Sequence, residues 1–334
     1  MPPVQLAFCP YDDLDGVPNV VVDGTATEAT TLTLSHWPGS PAVPVDLQAD
    51  LSAEMAFRYL DRGDTLHGDA TVVSNNHFDQ DGLVGVFALS HPDEAVARRP
   101  ILEDVAAAGD FGTYRFRDAA RASMVISAFT DPDRTPFGPL PSDYAATTAQ
   151  LYAEALGRLP EVVDDVSRYR SLWEDEDAQL SESEAAVASG TVTIDEDPEV
   201  DLAVVTVPGG HRWSGHRFGG RRYDGVHPMA IHNVTDATSL LLVADGTYRF
   251  TFRYETWVQF RSRPLRPRVD LNPLADALSA LDTVAWECDS VDALTPELAP
   301  VDPARTSLAP DVVRDTIVRH LREAAPAFDP HAPS

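Results

Sequence analysis

His77, Asp79 and Asp81 occupy alternate positions in the run Asn75-Asn76-His77-Phe78-Asp79-Gln80-Asp81-Gly82. In an extended loop, side chains at i, i+2 and i+4 point to the same side. One imidazole and two carboxylates converging on a point suit a hard or borderline divalent cation such as Mn²⁺ or Mg²⁺. Gly82 lets the backbone turn sharply beneath them. A calcium loop of the EF-hand type does not fit. Counted from His77, its twelfth position is Ala88, so the bidentate acid is missing. The competing reading is a turn in which Asp79 and Asp81 cap the following helix. Asp13-Leu14-Asp15-Gly16 is similar in composition, but Pro18 follows closely and the stretch reads as a loop.

A second segment has a different chemistry. Gly209 to Arg222 contains five glycines, two histidines and four arginines. Paired glycines such as Gly209-Gly210 let main-chain N–H groups approach an anion. Arginine forks match phosphate oxygens, and Trp213 and Phe218 offer faces on which a base stacks. The alternative is a flexible surface loop whose arginines balance acidic neighbours. Between Gly209 and Arg268 lie ten arginines and four acids, in a chain of net charge −28 that has no lysine at all. So acidic a surface repels long duplex nucleic acid and anionic membranes. A phosphate-bearing small molecule or a short oligonucleotide is the better partner. Genome composition or adaptation to salt accounts for the acidity itself. Nucleophile elbows, Walker loops, dinucleotide-binding glycine fingerprints and Cys-x-x-Cys pairs are all missing from the sequence.

The elements that must position these residues read as α/β. Val4 to Cys9, Asn19 to Asp23 and Asp69 to Ser74 have the apolar runs of short buried strands. The last of these leads directly into the His77 turn, and a small-residue helix from Gly82 to Ser90 follows. Strand, acidic turn and helix is the way open α/β sheets build sites at strand carboxyl ends. Thr25 to His36 has capping-box spacing and is predicted as a helix. Further helices are predicted over Ser52 to Asp61, Pro100 to Gly109, Arg117 to Phe129, a long stretch from Ser142 to about Ala178, Asn272 to Leu281 and Pro310 to Ala324. Leu202 to Val207 opens a strand-rich region, with a hairpin expected at Asp245-Gly246.

At 334 residues and 43% hydrophobic, the chain suits two domains. A mostly parallel sheet with flanking helices is expected over 1–178, with the acidic turn in it. An acidic linker follows over 179–200, then a smaller strand-rich α/β domain over 201–326 carrying Gly209-Gly210-His211-Arg212, and a loose tail over 327–334. No apolar run reaches the length of a membrane span, and the first residues lack the pattern of a signal peptide. With only Cys9 and Cys288 as thiols, the expected location is the reducing cytoplasm.

Asn76-His77-Phe78-Asp79-Gln80-Asp81-Gly82-Leu83-Val84-Gly85 resembles the first motif of the DHH phosphoesterases, a His-x-Asp-x-Asp-Gly turn between a strand and a small-residue helix. Gly209-Gly210-His211-Arg212 is similar to the Gly-Gly-His motif with which that family's smaller domain grips the substrate phosphate. The chain also resembles an uncharacterised actinobacterial protein family. The first resemblance implies an α/β domain holding two Mn²⁺ ions, with His77, Asp79 and Asp81 as ligands and catalytic residues. It also implies a phosphate grip by Gly209, Gly210, His211 and Arg212, and hydrolysis of a nucleotide or short-oligonucleotide phosphoester. The sequence departs from the family in having no Asp-His-His triplet. Asp23 at a strand end and His36 in Leu34-Ser35-His36-Trp37 are stand-ins that precede the first motif, and Asp110 follows it. Two other readings stay open: a non-catalytic nucleotide- or anion-binding protein with a decayed metal site, and a metal-dependent hydrolase of a non-phosphate substrate.

Overall fold

The structure, a computed structural model, describes residues 5–63, 65–208, 225–302 and 306–332. It is α/β, with a parallel four-stranded sheet and a mixed six-stranded sheet. The chain forms two compact units. One is Met1–Asp177 with Phe260–Ser262, and the other is Ala178–Gln259 with Arg263–Ser334.

The first unit contains β1 (Ala7–Phe8), β2 (Asn19–Val22), β3 (Thr30–Leu34), α1 (Ser52–Arg62), β4 (Val72–Ser74), α2 (Gln80–Ser90), α3 (Pro92–Asp110), α4 (Arg117–Phe129), α5 (Tyr144–Ala155), α6 (Leu159–Asp164) and the start of α7 (Arg170–Ala188). Its strands lie in the order β1-β4-β2-β3, all parallel. Val20, Val21 and Val22 are fully buried, as strands covered on both faces must be. All eleven residues of α2 are buried, so this helix is enclosed around its whole circumference, with Leu83 to Leu89 as its apolar run and the polar Gln80, Asp81 and Ser90 at its two ends. Gly85 is what lets it lie so close to β2: a Cβ there would stand 2.4 Å from Val22 Cγ1.

Thr25 to His36 is not a helix. Thr30–Leu34 forms β3 and pairs in parallel with β2, Val20 opposite Leu32 and Val22 opposite Leu34. The β-branched alternation Thr-Thr-Leu-Thr-Leu, paired with a buried valine strand, outweighs a capping-box spacing. The stretch expected as one helix from Ser142 to Ala178 is divided into α5, α6, a short 3-10 turn at Val166–Tyr169 and α7. Gly157 follows the end of α5, and a proline near its start opens α6.

The second unit contains β5 (Thr193–Asp197), β6 (Leu202–Val207), α8 (Pro228–His232), β7 (Ser239–Ala244), β8 (Thr247–Phe252), β9 (Arg268–Val269), α9 (Asn272–Leu281), β10 (Trp286–Cys288), β11 (Glu297–Pro300), α10 (Pro310–Glu323) and β12 (Pro326–Phe328). Six strands lie in the order β10-β11-β8-β7-β6-β5, with β6 and β7 parallel and the other pairs antiparallel. Asp245 and Gly246 both have positive φ, 50° and 76°, the backbone a tight β7–β8 hairpin requires. Leu241 and Val243 join a core with α9 and α10, whereas Leu240 and Leu242 join another with Ile231 of α8. Alternation along β7 thus feeds both faces of the sheet.

Residues 179–200, expected as an acidic linker, carry the end of α7 and the edge strand β5, which is in register with β6 over Thr193 to Asp197. Two of the acids of that stretch, Asp195 and Glu196, lie exposed on that strand, and charge is what discourages an edge from pairing further. The expected tail begins inside β12, which pairs with β9. Among the described residues no helix is long and apolar enough to cross a membrane.

Candidate metal centre

Three parallel strands deliver the site. Asp23 directly follows β2, His36 lies two residues beyond β3, and β4 runs into the turn that holds His77 and Asp79. Asp23 has φ +51°, a left-handed conformation that a non-glycine residue adopts at a cost and mostly at special sites. That bend is held by its own amide donating to Leu34 O at 2.9 Å.

Asp23 lies at the centre of the cluster and is 1% exposed. Its Oδ2 stands 3.2 Å from His77 Nε2, and its Oδ1 stands 3.4 Å from His36 Nε2. His77 Nε2 also meets Asp79 Oδ2 at 2.9 Å. His36 Nε2 faces Asp110 Oδ2 at 3.5 Å and Asp81 Oδ2 at 3.9 Å as well. Two triads follow, Asp23-His77-Asp79 and Asp23-His36-Asp81, each with ligand atoms within 4.8 Å of one another. They share Asp23 and use its two oxygens separately.

His77, Asp79 and Asp81 therefore fall in two triads and not in one. Asp79 ends the extended turn and caps α2, with Oδ1 accepting from Gly82 N at 2.8 Å while Oδ2 is left for His77. The capping reading holds for Oδ1, and the cap leaves Oδ2 as an atom that could serve as a ligand. Asp81 is already inside α2, fully buried, and joins His36 instead. Asp110, the last residue of α3, brings a third carboxylate to His36, and its Oδ2 makes no hydrogen bond among the described residues.

Hydrogen bonds from α1 orient the acids. The amides of Ser52 and Ala53 donate to Asp81 Oδ2 and Oδ1 at 2.8 and 2.9 Å, using free N–H groups of the helix start. Ser52 Oγ donates to Asp23 Oδ1 at 2.8 Å. His36 Nδ1 meets the carbonyl of Asp50 at 2.5 Å, so Nδ1 carries the proton and Nε2 is presented to the carboxylates. Ser52 is legible in the sequence only as a helix start, and Asp50 has no sequence signal, because its carbonyl does the work.

The electrostatics describe a site short of positive charge. Burial alone would lower the His36 imidazolium, but the hydrogen bond to Asp23 and the charges of Asp23 and Asp81 raise it to about 9. His77 is likewise raised to about 12 against its burial, by Asp79 and Asp23. Burial and then the Asp23 charge push Asp81 up to about 8. Burial and the charges of Asp81, Asp79 and Asp23 push Asp110 well above the usual carboxylate range. Asp23 is held well below that range: burial opposes this, and hydrogen bonds from His36 and His77 overcome it. Among the described residues no arginine pairs with Asp23, Asp79, Asp81 or Asp110. Among the described residues, the four carboxylates are offset only by protons and the two imidazoles. This donor set fits hard or borderline divalent cations.

The phosphate half of the sequence reading, Gly209, Gly210, His211 and Arg212, lies outside the described residues. Several described arginines of the same basic stretch are committed elsewhere within the second unit. Arg268, fully buried, donates to Thr256 Oγ1 and to the carbonyls of Val291, Ala293 and Leu294, and burial lowers it to about 9. Arg253 is buried against Glu255, Arg263 holds Asp236 O, and Arg266 holds Glu199 O. Among the described residues of the stretch, Arg253, Arg263, Arg266 and Arg268 all bind backbone carbonyls.

A family model covers nearly the whole chain. The protein belongs to a family of unknown function, DUF6687, whose model matches residues 4–332. A search of curated proteins finds no match. Among solved structures, the chain is similar to the crystal structure of RecJ in complex with Mn²⁺ from Thermus thermophilus, at 15% identity and a TM-score of 0.25. That match covers 95% of this chain but 47% of the RecJ chain.

Proposed function

We propose that the protein is a metal-dependent phosphoesterase whose centre holds two divalent ions, Mn²⁺ or Mg²⁺. The observation that carries this reading is the division of Asp23, with one oxygen toward His77 and the other toward His36. A carboxylate so placed would bridge two ions. His77 and Asp79 would complete one position, and His36, Asp81 and Asp110 the other. A bound pair of this kind acidifies an attacking water and neutralises charge on a phosphoryl group. The chain's own part is to hold the ligands still. Ser52 Oγ fixes Asp23, the first amides of α1 fix Asp81, and Asp50 O fixes the His36 ring. His77 and Asp79 are the partly exposed members, so substrate would enter on their side. The substrate in this proposal is a nucleotide or short-oligonucleotide phosphoester, gripped by Gly209, Gly210, His211 and Arg212. The protein is proposed to act in the cytoplasm.

The test uses the full chain. Calorimetry should find two Mn²⁺ bound, and Mn²⁺ should switch on hydrolysis of a chromogenic phosphodiester such as bis(p-nitrophenyl) phosphate. Asp23→Asn should lower both by a hundredfold or more, beyond the roughly 10–100-fold that loss of an outer hydrogen-bond partner costs. A wild-type chain that binds no Mn²⁺, or an Asp23→Asn variant that binds it normally, would overturn the proposal.

A further inference from the structure

His36 reaches the metal centre from behind, and what stands behind it comes from far away in sequence. Its Nδ1 proton goes to the Asp50 carbonyl. Asp50 itself is buried, and its carboxylate is pinned by a short segment more than two hundred positions later. Arg261 N donates to Asp50 Oδ1 at 2.5 Å, Ser262 N donates to the same oxygen at 2.9 Å, and Ser262 Oγ donates to Oδ2. The residue just before them, Phe260, packs edge-on against Phe111 with ring centroids 5.5 Å apart. Phe111 directly follows Asp110, and its ring lies 6.4 Å from that of His36. Phe260–Ser262 belong to the first unit, although the residues on either side of them belong to the second.

We infer that Phe260–Ser262 is a positioning strap for the Asp23-His36-Asp81 half of the centre: it sets the orientation of His36 through Asp50 and steadies Asp110 through Phe111. The inference rests on the two-ion reading and adds a dependence to it. Three donors converge on one carboxylate, and two of them are main-chain amides. That makes the Asp50 peptide a rigid acceptor, and a rigid acceptor holds the imidazole in one tautomer and one plane. Such outer partners set the affinity of a histidine-bound ion as well as its geometry. The Asp23-His77-Asp79 half has no contact of this kind with the strap among the described residues. The two halves are therefore predicted to respond differently when the strap is loosened.

Ser262→Ala is the gentler test, since Ser262 is exposed. Asp50→Asn, which keeps the backbone carbonyl, is the stronger one. In the full chain, Mn²⁺ calorimetry should show one site weakened by roughly ten- to a hundredfold and the other unchanged. Equal weakening of both sites, or of neither, overturns the strap. A second readout needs no metal. In the metal-free protein, the His36 Nδ1 proton should appear by NMR as a downfield, slowly exchanging resonance that exchanges faster in both variants. An unchanged resonance in both variants overturns the inference whatever Mn²⁺ does. If instead the wild type binds no Mn²⁺ while the proton behaves as expected, the phosphoesterase reading falls and the strap stands.

Discussion

At the scale of single residues, the centre makes a statement about pH. His36 is raised from 6.5 to about 9, so the folded chain holds a proton that the unfolded chain releases. The stability this contributes is complete below pH 6.5 and is lost as pH climbs through about 9. Asp81, raised from 3.8 to about 8, acts in the same sense over its own window. Asp23 is lowered and acts in the opposite sense, but its window lies below pH 4. The metal-free protein should therefore melt at progressively lower temperature from pH 6.5 to 9, measured by scanning calorimetry. Added Mn²⁺ should stabilise it more as pH rises, because ligands bind metal deprotonated. A metal-free melting temperature that rises over that range would contradict the charge balance of the centre. At this scale the sequence was generous. His77, Asp79 and Asp81 stood out in an acidic turn, whereas Asp23 at a strand end, Asp110 after the turn and His36 at the end of an expected helix were named only as stand-ins for the missing Asp-His-His triplet. What it hid was grouping, because Asp81 sits on a helix and Asp79 in an extended turn, and side-chain direction changes between the two. Asp50 was invisible because it contributes a carbonyl, which every residue has.

Between residue and fold stand the elements, and α2 is the one under the tightest constraint. A Cβ on Gly82 would lie 2.2 Å from Asn75 Nδ2 and 2.8 Å from Tyr152 Oη. Gly82→Ala should thus cost about 1–3 kcal/mol in denaturant unfolding, the range for forcing atoms into a packed interior. It should also weaken Mn²⁺ binding, since the same helical turn carries Asp81. A variant as stable as wild type would mean that the turn has room the structure does not display. The sequence marked α2 through its glycines and small residues, and it placed α1 over Ser52 to Asp61 and α4 over Arg117 to Phe129, close to where the structure has them. It misread β3 because a capping-box spacing is a local signal, whereas the strand is set by pairing with β2 along a buried valine run. No window of sequence around Thr30 contains that partner's register.

For the molecule as a whole, the division into units falls inside α7, between Asp177 and Ala178. The acidic stretch beyond it is hydrogen-bonded structure, with α7 continuing to Ala188 and β5 paired to β6. A glutamate-specific protease should accordingly leave Glu182, Glu184 and Glu196 uncut while the chain is folded, with the fragments read by mass spectrometry. Rapid cleavage at those three positions would restore the linker reading. Composition could not have settled the matter, because a solvated helix face, a charged edge strand and a disordered linker all favour acids.

Asp23 imposes one more condition, this time on which residues the position tolerates. Its backbone lies in the left-handed region, where glycine and asparagine are at ease and branched or bulky residues are not. Its side chain must present two anionic oxygens at once, to two different histidines. Glycine meets the first demand and has no oxygen at all. Asparagine meets it with only one oxygen and no charge. Glutamate supplies both oxygens but carries them one methylene too far, on a backbone that favours it less. On the proposed two-ion reading, two independent filters, one conformational and one chemical, intersect at aspartate.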